Sequence, residues 1–263
     1  MQIYTHTLPG GAQLIGYLRD RTVEMPAFNT RPAILILPGG GYAWCSRREA
    51  DPVAMQFLQA GYNVFTLYYT CRSDETVPAL RWQPLIDAAG AILHIRRNAE
   101  QFGTDPAKIA ICGFSAGGHL ALSAAVLDIP GETAQQRPNA VILGYPVITA
   151  GEFAHRGSFV QLAGSEDAAA QQVFTLEDKV TSDTPPVFVW HTMEDKTVPV
   201  ENTLLLLAAL RRAGVPCEAH LFEKGAHGTS ISTAEVDAAD PHRAHWVALC
   251  LEWLGETFEF KLS

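Results

Sequence analysis

Blocks of positive charge and long apolar runs are both missing from this chain of 263 residues. The 19 Lys and Arg residues are dispersed among 28 Asp and Glu residues, for a formal net charge of −9, so nucleic-acid binding has little electrostatic support. No apolar run approaches the roughly 20 residues of a membrane-spanning helix. The start, MQIYTHTLPGGAQ, lacks the basic and apolar regions of a secretory signal. We therefore expect a cytoplasmic protein whose partners include neither a nucleic acid nor a membrane.

Cysteine is scarce, and its spacing forms no recognisable pattern. An odd number of scattered cysteines without a CxxC pair indicates reduced thiols rather than a disulfide framework or a zinc site. The cysteines are Cys45, Cys71, Cys112, Cys217 and Cys250. His242 and His245 have the i, i+3 spacing that metal ligands can have, but no third ligand is identifiable and a helix start explains the pair better. We expect neither a metal nor another cofactor.

Short apolar runs alternate with longer segments of helical periodicity. The predicted strands are 33–37, 63–67, 108–112, 140–144, 187–191 and 218–222, and the predicted helices are 51–60, 84–102, 116–127, 200–213 and about 242–256. Most of the strands are continuous apolar runs, which is typical of parallel strands covered on both faces. In the second helix, Trp82, Ile86, Ala89 and Leu93 recur at helical spacing. The alternation predicts an α/β protein with a mostly parallel, doubly wound sheet and helices on both faces.

Two segments depart from this alternation. Residues 2–7 and 14–19 alternate in polarity and predict an antiparallel hairpin at the sheet edge. Residues 145–186 form an unusually long connection, and connections of that length usually have a function. No linker or internal repeat divides the chain, so we predict one domain over residues 1–263 with 145–186 as a lid-like, substrate-facing insertion.

A candidate nucleophile lies between a predicted strand and a predicted helix. The apolar run KIAIC leads into Gly113-Phe114-Ser115-Ala116-Gly117, and the helical stretch HLALSAAVL follows shortly after. This is G-x-S-x-G in the strand-turn-helix context that gives the motif its meaning. Glycines two residues on either side of the serine remove collisions at a sharp turn, and the helix N-terminus favours negative charge nearby. The pattern predicts that Ser115 is a nucleophile.

A serine hydroxyl needs a base, and the base needs a carboxylate that orients it. Asp195 follows the predicted strand VFVWH, and His227 follows the predicted strand EAHLFE. Both would lie at the carboxyl ends of parallel strands, where active-site groups of open α/β sheets gather. Glu194 is a rival for the carboxylate role. We predict a catalytic triad of Ser115, Asp195 and His227, in the chain order nucleophile, acid, base.

With these residues, the chain resembles the α/β-hydrolase superfamily, and more narrowly bacterial esterases related to hormone-sensitive lipase and to acetyl xylan esterases. The stretches that carry the resemblance are LPGGGY, GFSAGGHLA, GYPV, DTPPVFVWHTMEDKTVPVEN and FEKGAHG. The resemblance implies an α/β-hydrolase fold and a serine esterase that acts without a metal, with an oxyanion hole at the amides of Gly40, Gly41 and Ala116. Pro38 departs from the histidine that precedes the glycines in the hormone-sensitive-lipase pattern. Few residues precede the first core strand, so we expect a small insertion in place of a full cap.

The residues and the resemblance together predict hydrolysis of short-chain, acetyl-type carboxylic esters through an acyl-enzyme on Ser115. A small-molecule ester, such as an acetylated carbohydrate, would be the substrate. A peptidase or an arylformamidase of the same fold is the alternative, and a non-catalytic ligand-binding homologue is a more remote one. The sequence leaves the acyl-chain preference, the alcohol moiety, the pathway and the oligomeric state open, with a homodimer as one arrangement.

Overall fold

Eight strands form one sheet in a computed structural model that describes residues 1–74, 76, 78–128 and 134–262. The strands are β1 (Gln2–Thr7), β2 (Gln13–Leu18), β3 (Arg31–Leu37), β4 (Asn63–Tyr68), β5 (Thr104–Phe114), β6 (Ala140–Gly144), β7 (Val187–Thr192) and β8 (Cys217–Phe222). Their order across the sheet is β1-β2-β4-β3-β5-β6-β7-β8. Strands β1, β2 and β4 pair antiparallel, whereas β4, β3, β5, β6, β7 and β8 are parallel neighbours. The mostly parallel sheet and the hairpin at its edge are confirmed.

Helices cover both faces of this sheet. They are α1 (Asp51–Gln59), α2 (Gln83–Arg97), α3 (Ala99–Phe102), α4 (Ala116–Val126), α5 (Arg156–Ala163), α6 (Ala168–Gln172), α7 (Glu201–Ala213), α8 (Pro241–Ala244) and α9 (Trp246–Thr257). Strand β3 shows how the two faces are filled, because Leu35 and Leu37 join one buried cluster while Ile34 and Ile36 join another. Side chains of α2, α4 and α7 complete the first cluster, and side chains of α1 and α9 complete the second. The expected α/β-hydrolase architecture with two helical layers is therefore confirmed.

The helix predicted over 84–102 is wrong in its extent. Helix α2 ends at Arg97, and the Asn98 side-chain amide donates a 2.8 Å hydrogen bond to the His94 carbonyl before α3 begins. Of the residues that recur at helical spacing, Trp82 and Ile86 are 41% and 47% exposed, whereas Ala89 is buried. Leu85, Ala88, Ile92 and Ile95 pack into the core. Alanines placed between large apolar residues gave the segment two faces with helical spacing, and periodicity alone did not separate them.

The C-terminal helix is also divided where one helix was predicted. Asp240 caps α8, its carboxylate accepting hydrogen bonds from the amides of His242 (3.0 Å) and Arg243 (3.1 Å). The interpretation of His242 and His245 as part of a helix start is confirmed. Across the described ranges, no helix has both the length and the apolar character needed to cross a membrane.

Candidate active site

Ser115 occupies a strained turn between β5 and α4. Its backbone has φ 55° and ψ −121°, a conformation that costs on the order of 1–3 kcal/mol for a residue with a side chain. A Cβ on Gly113 would lie 2.1 Å from the Gly117 carbonyl oxygen, and a Cβ on Gly117 would lie 2.1 Å from the Leu37 carbonyl oxygen. A side chain at either position would clash with a backbone carbonyl oxygen, which cannot move away, so both positions require glycine. Their absence of side chains lets α4 begin directly against the end of β3.

The three residues assigned to the site from the sequence form one chain of hydrogen bonds. His227 Nε2 lies 2.8 Å from Ser115 Oγ, and His227 Nδ1 lies 2.6 Å from Asp195 Oδ2. A carboxylate can only accept, so Nδ1 carries the proton and Nε2 is free to accept from the serine hydroxyl. Glu194 points elsewhere, accepting a 3.2 Å hydrogen bond from the Gly225 amide. The structure thus brings Asp195, and not Glu194, to the histidine.

Asp195 is held in place by donors other than His227. Its Oδ1 accepts 2.9 Å hydrogen bonds from the amides of Thr197 and Val198, and His191 Nε2 approaches Oδ2 to 3.3 Å. Burial favours the neutral acid, but the hydrogen bonds from His191 and His227 outweigh it and hold the pKa of Asp195 below its usual range. Asp195 is therefore ionised at neutral pH. His191, which follows the apolar run VFVW in β7, is itself fully buried.

The glycine triplet forms a loop at the end of β3, beside Ser115. Gly40 and Gly41 have φ values of +127° and +64°, and a Cβ on Gly40 would lie 2.1 Å from the Trp44 carbonyl oxygen. Within the described part of the chain, the N–H groups of Gly40, Gly41 and Ala116 have no hydrogen-bond acceptor. Such free backbone donors beside a nucleophile are suited to a developing oxyanion.

A cavity of about 320 Å³ opens onto Ser115 and His227. Its remaining walls come from the glycine loop, from the segment 145–186 and from loops after β7 and β8. They are lined by Gly40, Gly41, Ala43, Trp44, Ser46, Arg48, Glu49, His155, Gly157, Gln161, Thr197 and Gly228. Trp44 is 63% exposed at this cavity. A larger groove of about 760 Å³ between α1, α9 and the C-terminal residues contains none of the predicted site residues.

Two buried residues next to the site were missed by the sequence reasoning. Glu49 accepts a 2.7 Å hydrogen bond from the Gly39 amide and a 2.6 Å hydrogen bond from the Tyr145 hydroxyl. The Tyr145 ring packs edge-on against the His227 ring at a centroid distance of 4.9 Å. Burial raises the pKa of Glu49. In the sequence, Arg47-Arg48-Glu49 is typical of a solvated helix N-terminus, so no local signal identified Glu49 as buried.

Metal ligation has no candidate in the residues described, where no group of three or more His, Cys, Asp or Glu side chains is placed to hold an ion. What the arrangement offers instead is a hydroxyl paired with a neutral imidazole, an ionised carboxylate behind it and free amides in front. These groups are the components of nucleophilic acyl transfer.

Comparison with protein families gives two overlapping matches. The BD-FAE family model matches residues 23–142. The model of the prolyl oligopeptidase family matches residues 91–259, which include Ser115, Asp195 and His227.

Individual relatives include enzymes named for xylan and acetyl esters. The chain is 39% identical over 235 residues to endo-1,4-beta-xylanase B of Butyrivibrio fibrisolvens, covering 84% of this chain and 35% of the relative. It is 30% identical over 232 residues to an acetylxylan esterase of Xylanibacter ruminicola, covering 85% of this chain and 45% of the relative. It therefore spans less than half of either relative's length. The crystal structure of an acetyl ester-xyloside bifunctional hydrolase from Caldicellulosiruptor lactoaceticus matches with TM-score 0.82 and 34% identity, covering 97% of this chain and 90% of that one.

Proposed function

The chain belongs to the α/β-hydrolase superfamily, and from this premise we propose that it is a carboxylic ester hydrolase that cleaves short-chain acyl esters through an acyl-enzyme on Ser115. The observation that carries the proposal is the hydrogen-bonded series Ser115, His227, Asp195 at the floor of a small cavity. The segment 145–186 contributes His155, Gly157 and Gln161 to the wall of that cavity. This supports its prediction as a substrate-facing insertion.

In the proposed mechanism, His227 Nε2 takes the hydroxyl proton as Ser115 Oγ attacks the ester carbonyl. Asp195 keeps the Nδ1 proton in place and stabilises the imidazolium that forms. The free amides of Gly40, Gly41 and Ala116 receive the oxyanion, and each donor of this kind contributes about 3–4 kcal/mol in comparable sites. His227 then protonates the departing alcohol, and water activated by the same nitrogen hydrolyses the acyl-enzyme.

The dimensions of the cavity favour a small substrate. A volume of about 320 Å³ lies at the lower end of the range for small-molecule sites. It accommodates an acetyl group and one ring of an alcohol more readily than a long acyl chain. Trp44 presents a flat apolar face at the rim, on which one face of a sugar ring could stack. Together with the xylan-directed names of the relatives, this supports acetylated xylose-type carbohydrates as the substrate class.

A panel of substrates with a Ser115→Ala variant tests the proposal. It comprises p-nitrophenyl esters from acetate to dodecanoate, acetylated xylo-oligosaccharides and an aminoacyl p-nitroanilide. We expect the highest kcat/KM on acetate and on the acetylated sugars, and a loss of at least about 10⁴-fold in Ser115→Ala. Thermal unfolding of the variant checks that it is folded. In the wild-type enzyme, peptide mass spectrometry after rapid acid quench should find an acetyl group on Ser115.

A peptidase is the second candidate, because the prolyl oligopeptidase model matches the part of the chain that holds all three site residues. Cleavage of the anilide at a higher kcat/KM than the acetate ester would select that candidate. A preference for chains of eight or more carbons would contradict the short-acyl proposal. Activity retained in a folded Ser115→Ala protein would contradict the mechanism itself.

A further inference from the structure

Glu49 is a buried carboxyl group that the proposed mechanism does not use. It is 3% exposed, and in the ranges that the structure describes it forms no ion pair within salt-bridge distance. A buried charge without a cationic partner is unfavourable for folding. Such a group is retained where its hydrogen bonds or its charge serve the site.

The hydrogen bonds around Glu49 assign its protonation state. Oε2 accepts from the Gly39 amide at 2.7 Å, and Oε1 accepts from the Tyr145 hydroxyl at 2.6 Å. The same phenol oxygen accepts a 2.9 Å hydrogen bond from the Ser230 amide. The single proton of Tyr145 is therefore directed at Glu49, and a proton on Oε1 would face it. The network is complete only when Glu49 is ionised.

Glu49 is connected, directly or through the Tyr145 hydroxyl, to three different parts of the site. Gly39 directly precedes the two glycines whose amides are free, and Tyr145 follows β6 and packs against the His227 ring. Ser230 lies three residues beyond His227, and its hydroxyl also donates to the Arg48 carbonyl. One carboxylate thus fixes the glycine loop, the ring under the histidine and the loop that carries the histidine relative to one another.

The charge of Glu49 also reaches His227. The charged and titratable groups facing His227 are Asp195 from the β7 loop, Arg48 and Glu49 from the segment before α1, His155 from the segment before α5, and Tyr145. Asp195 contacts the ring directly, whereas Glu49 acts from behind Tyr145. The imidazolium that forms during acyl transfer would therefore be stabilised by two carboxylates.

We propose that Glu49 is a positioning residue of this hydrolase, which holds the oxyanion loop and His227 in register through Gly39 and Tyr145 and whose negative charge favours the His227 imidazolium. The inference rests on the proposed roles of Ser115 and His227. It requires no substrate contact by Glu49.

The test compares Glu49→Gln, which keeps the shape and removes the charge, with Tyr145→Phe, which removes the hydroxyl and no charge. Glu100→Gln is the control for a change in net charge, since Glu100 is exposed on α3. The measurements are kcat and KM for p-nitrophenyl acetate from pH 5 to 9, with urea unfolding of each variant. The acidic limb of kcat/KM reports the protonation of the essential base in the free enzyme.

For Glu49→Gln we expect kcat to fall by about 10- to 100-fold with KM within about twofold of wild type. Removal of a negative charge disfavours the imidazolium, so the acidic limb of kcat/KM should move to lower pH. Tyr145→Phe should lower kcat and leave the acidic limb of kcat/KM at its wild-type pH, because it removes no charge. Glu100→Gln should match wild type in both.

An unchanged acidic limb in folded Glu49→Gln would overturn the inference, and so would wild-type kcat in Tyr145→Phe. If Glu49→Gln does not fold, Glu49→Asp takes its place. That variant retains the charge at a shorter reach, so reduced kcat with a wild-type limb supports the inference, and wild-type kcat overturns it. A folded Ser115→Ala protein that stays active would remove the proposed function instead, which keeps the two failures distinct.

Discussion

Lowering the pH should destabilise the protein through His119, a histidine on α4, the helix that follows Ser115. His119 is 2% exposed, its Nε2 lies 2.8 Å from the Phe174 carbonyl oxygen, and its Nδ1 lies 2.7 Å from the Tyr42 hydroxyl. The carbonyl can only accept, so Nε2 carries the proton and Nδ1 accepts from Tyr42. Both nitrogens are satisfied in the neutral ring. Burial lowers the pKa of His119 from its ordinary 6.5 to about 4.

The sign and size of the effect follow from linkage. Between about pH 6.5 and pH 4 the unfolded chain binds a proton at His119 and the folded protein does not, so the free energy of unfolding decreases as the pH falls. The contribution is fully present above pH 6.5 and is lost at about 1.4 kcal/mol per pH unit below it. At pH 5 the loss should be about 2 kcal/mol.

Urea unfolding followed by tryptophan fluorescence at pH 8, 7, 6 and 5 measures this loss in wild type and in His119→Gln. Glutamine can donate to the Phe174 carbonyl but leaves the Tyr42 hydroxyl without its acceptor, so the variant should be less stable at pH 8 by about 1–3 kcal/mol. That gap should narrow by about 2 kcal/mol at pH 5, because the variant has no titrating ring. Tyr42→Phe is the matched control, since it loses the same hydrogen bond and keeps the slope. Parallel pH curves for wild type and His119→Gln would refute the reasoning.

Three further changes probe the site from different sides. Gly117→Ala would place a methyl 2.1 Å from the Leu37 carbonyl oxygen, and we expect a loss of about 3 kcal/mol or more in urea unfolding; near-wild-type stability would contradict the close approach. In Gly41→Ala, the added Cβ meets only His155 Cε1, at 3.8 Å. The positive φ should lower the free energy of unfolding by about 1 kcal/mol, and most of the kcat on p-nitrophenyl acetate should remain because the amide remains. Loss of folding would contradict this. The hydrogen bonds that hold the pKa of Asp195 below its ordinary 3.8 contribute stability that is present above that pH and lost as the pH falls through it. The stability gap between wild type and Asp195→Asn should therefore shrink from pH 6 to pH 3, and a constant gap would contradict the ionised state.

The parts of the fold that sequence patterns predicted are those with local causes. Continuous apolar runs predicted the parallel strands because both faces of the sheet are covered, and the same strands then placed Ser115, Asp195 and His227 at one edge. Each of these three residues directly follows a strand or lies a few residues beyond it. For that reason their convergence could be predicted without any knowledge of side-chain contacts.

The residues that the sequence did not reveal depend on contacts between distant segments. Glu49 and Tyr145 are separated by 96 positions. The sequence around each of them has no pattern that would distinguish a buried, hydrogen-bonded side chain from an exposed one. The break at Asn98 has a different origin: its backbone leaves helical geometry (φ −104°, ψ 18°), and its side-chain amide joins its own N–H in donating to the His94 carbonyl. Apolar periodicity reports neither effect.

Pro38 stands where the hormone-sensitive-lipase pattern has a histidine. Together with Glu49, it determines which N–H groups of the glycine loop are free. Proline has no N–H, and its carbonyl accepts a 2.6 Å hydrogen bond from the buried Tyr69 hydroxyl. The next amide, that of Gly39, is taken by Glu49 at 2.7 Å. Of the four residues that open the loop, only Gly40 and Gly41 then retain an N–H without an acceptor in the described chain. Because Pro38 has no N–H and Glu49 occupies that of Gly39, the free N–H groups of this stretch, within the described chain, are the two beside Ser115.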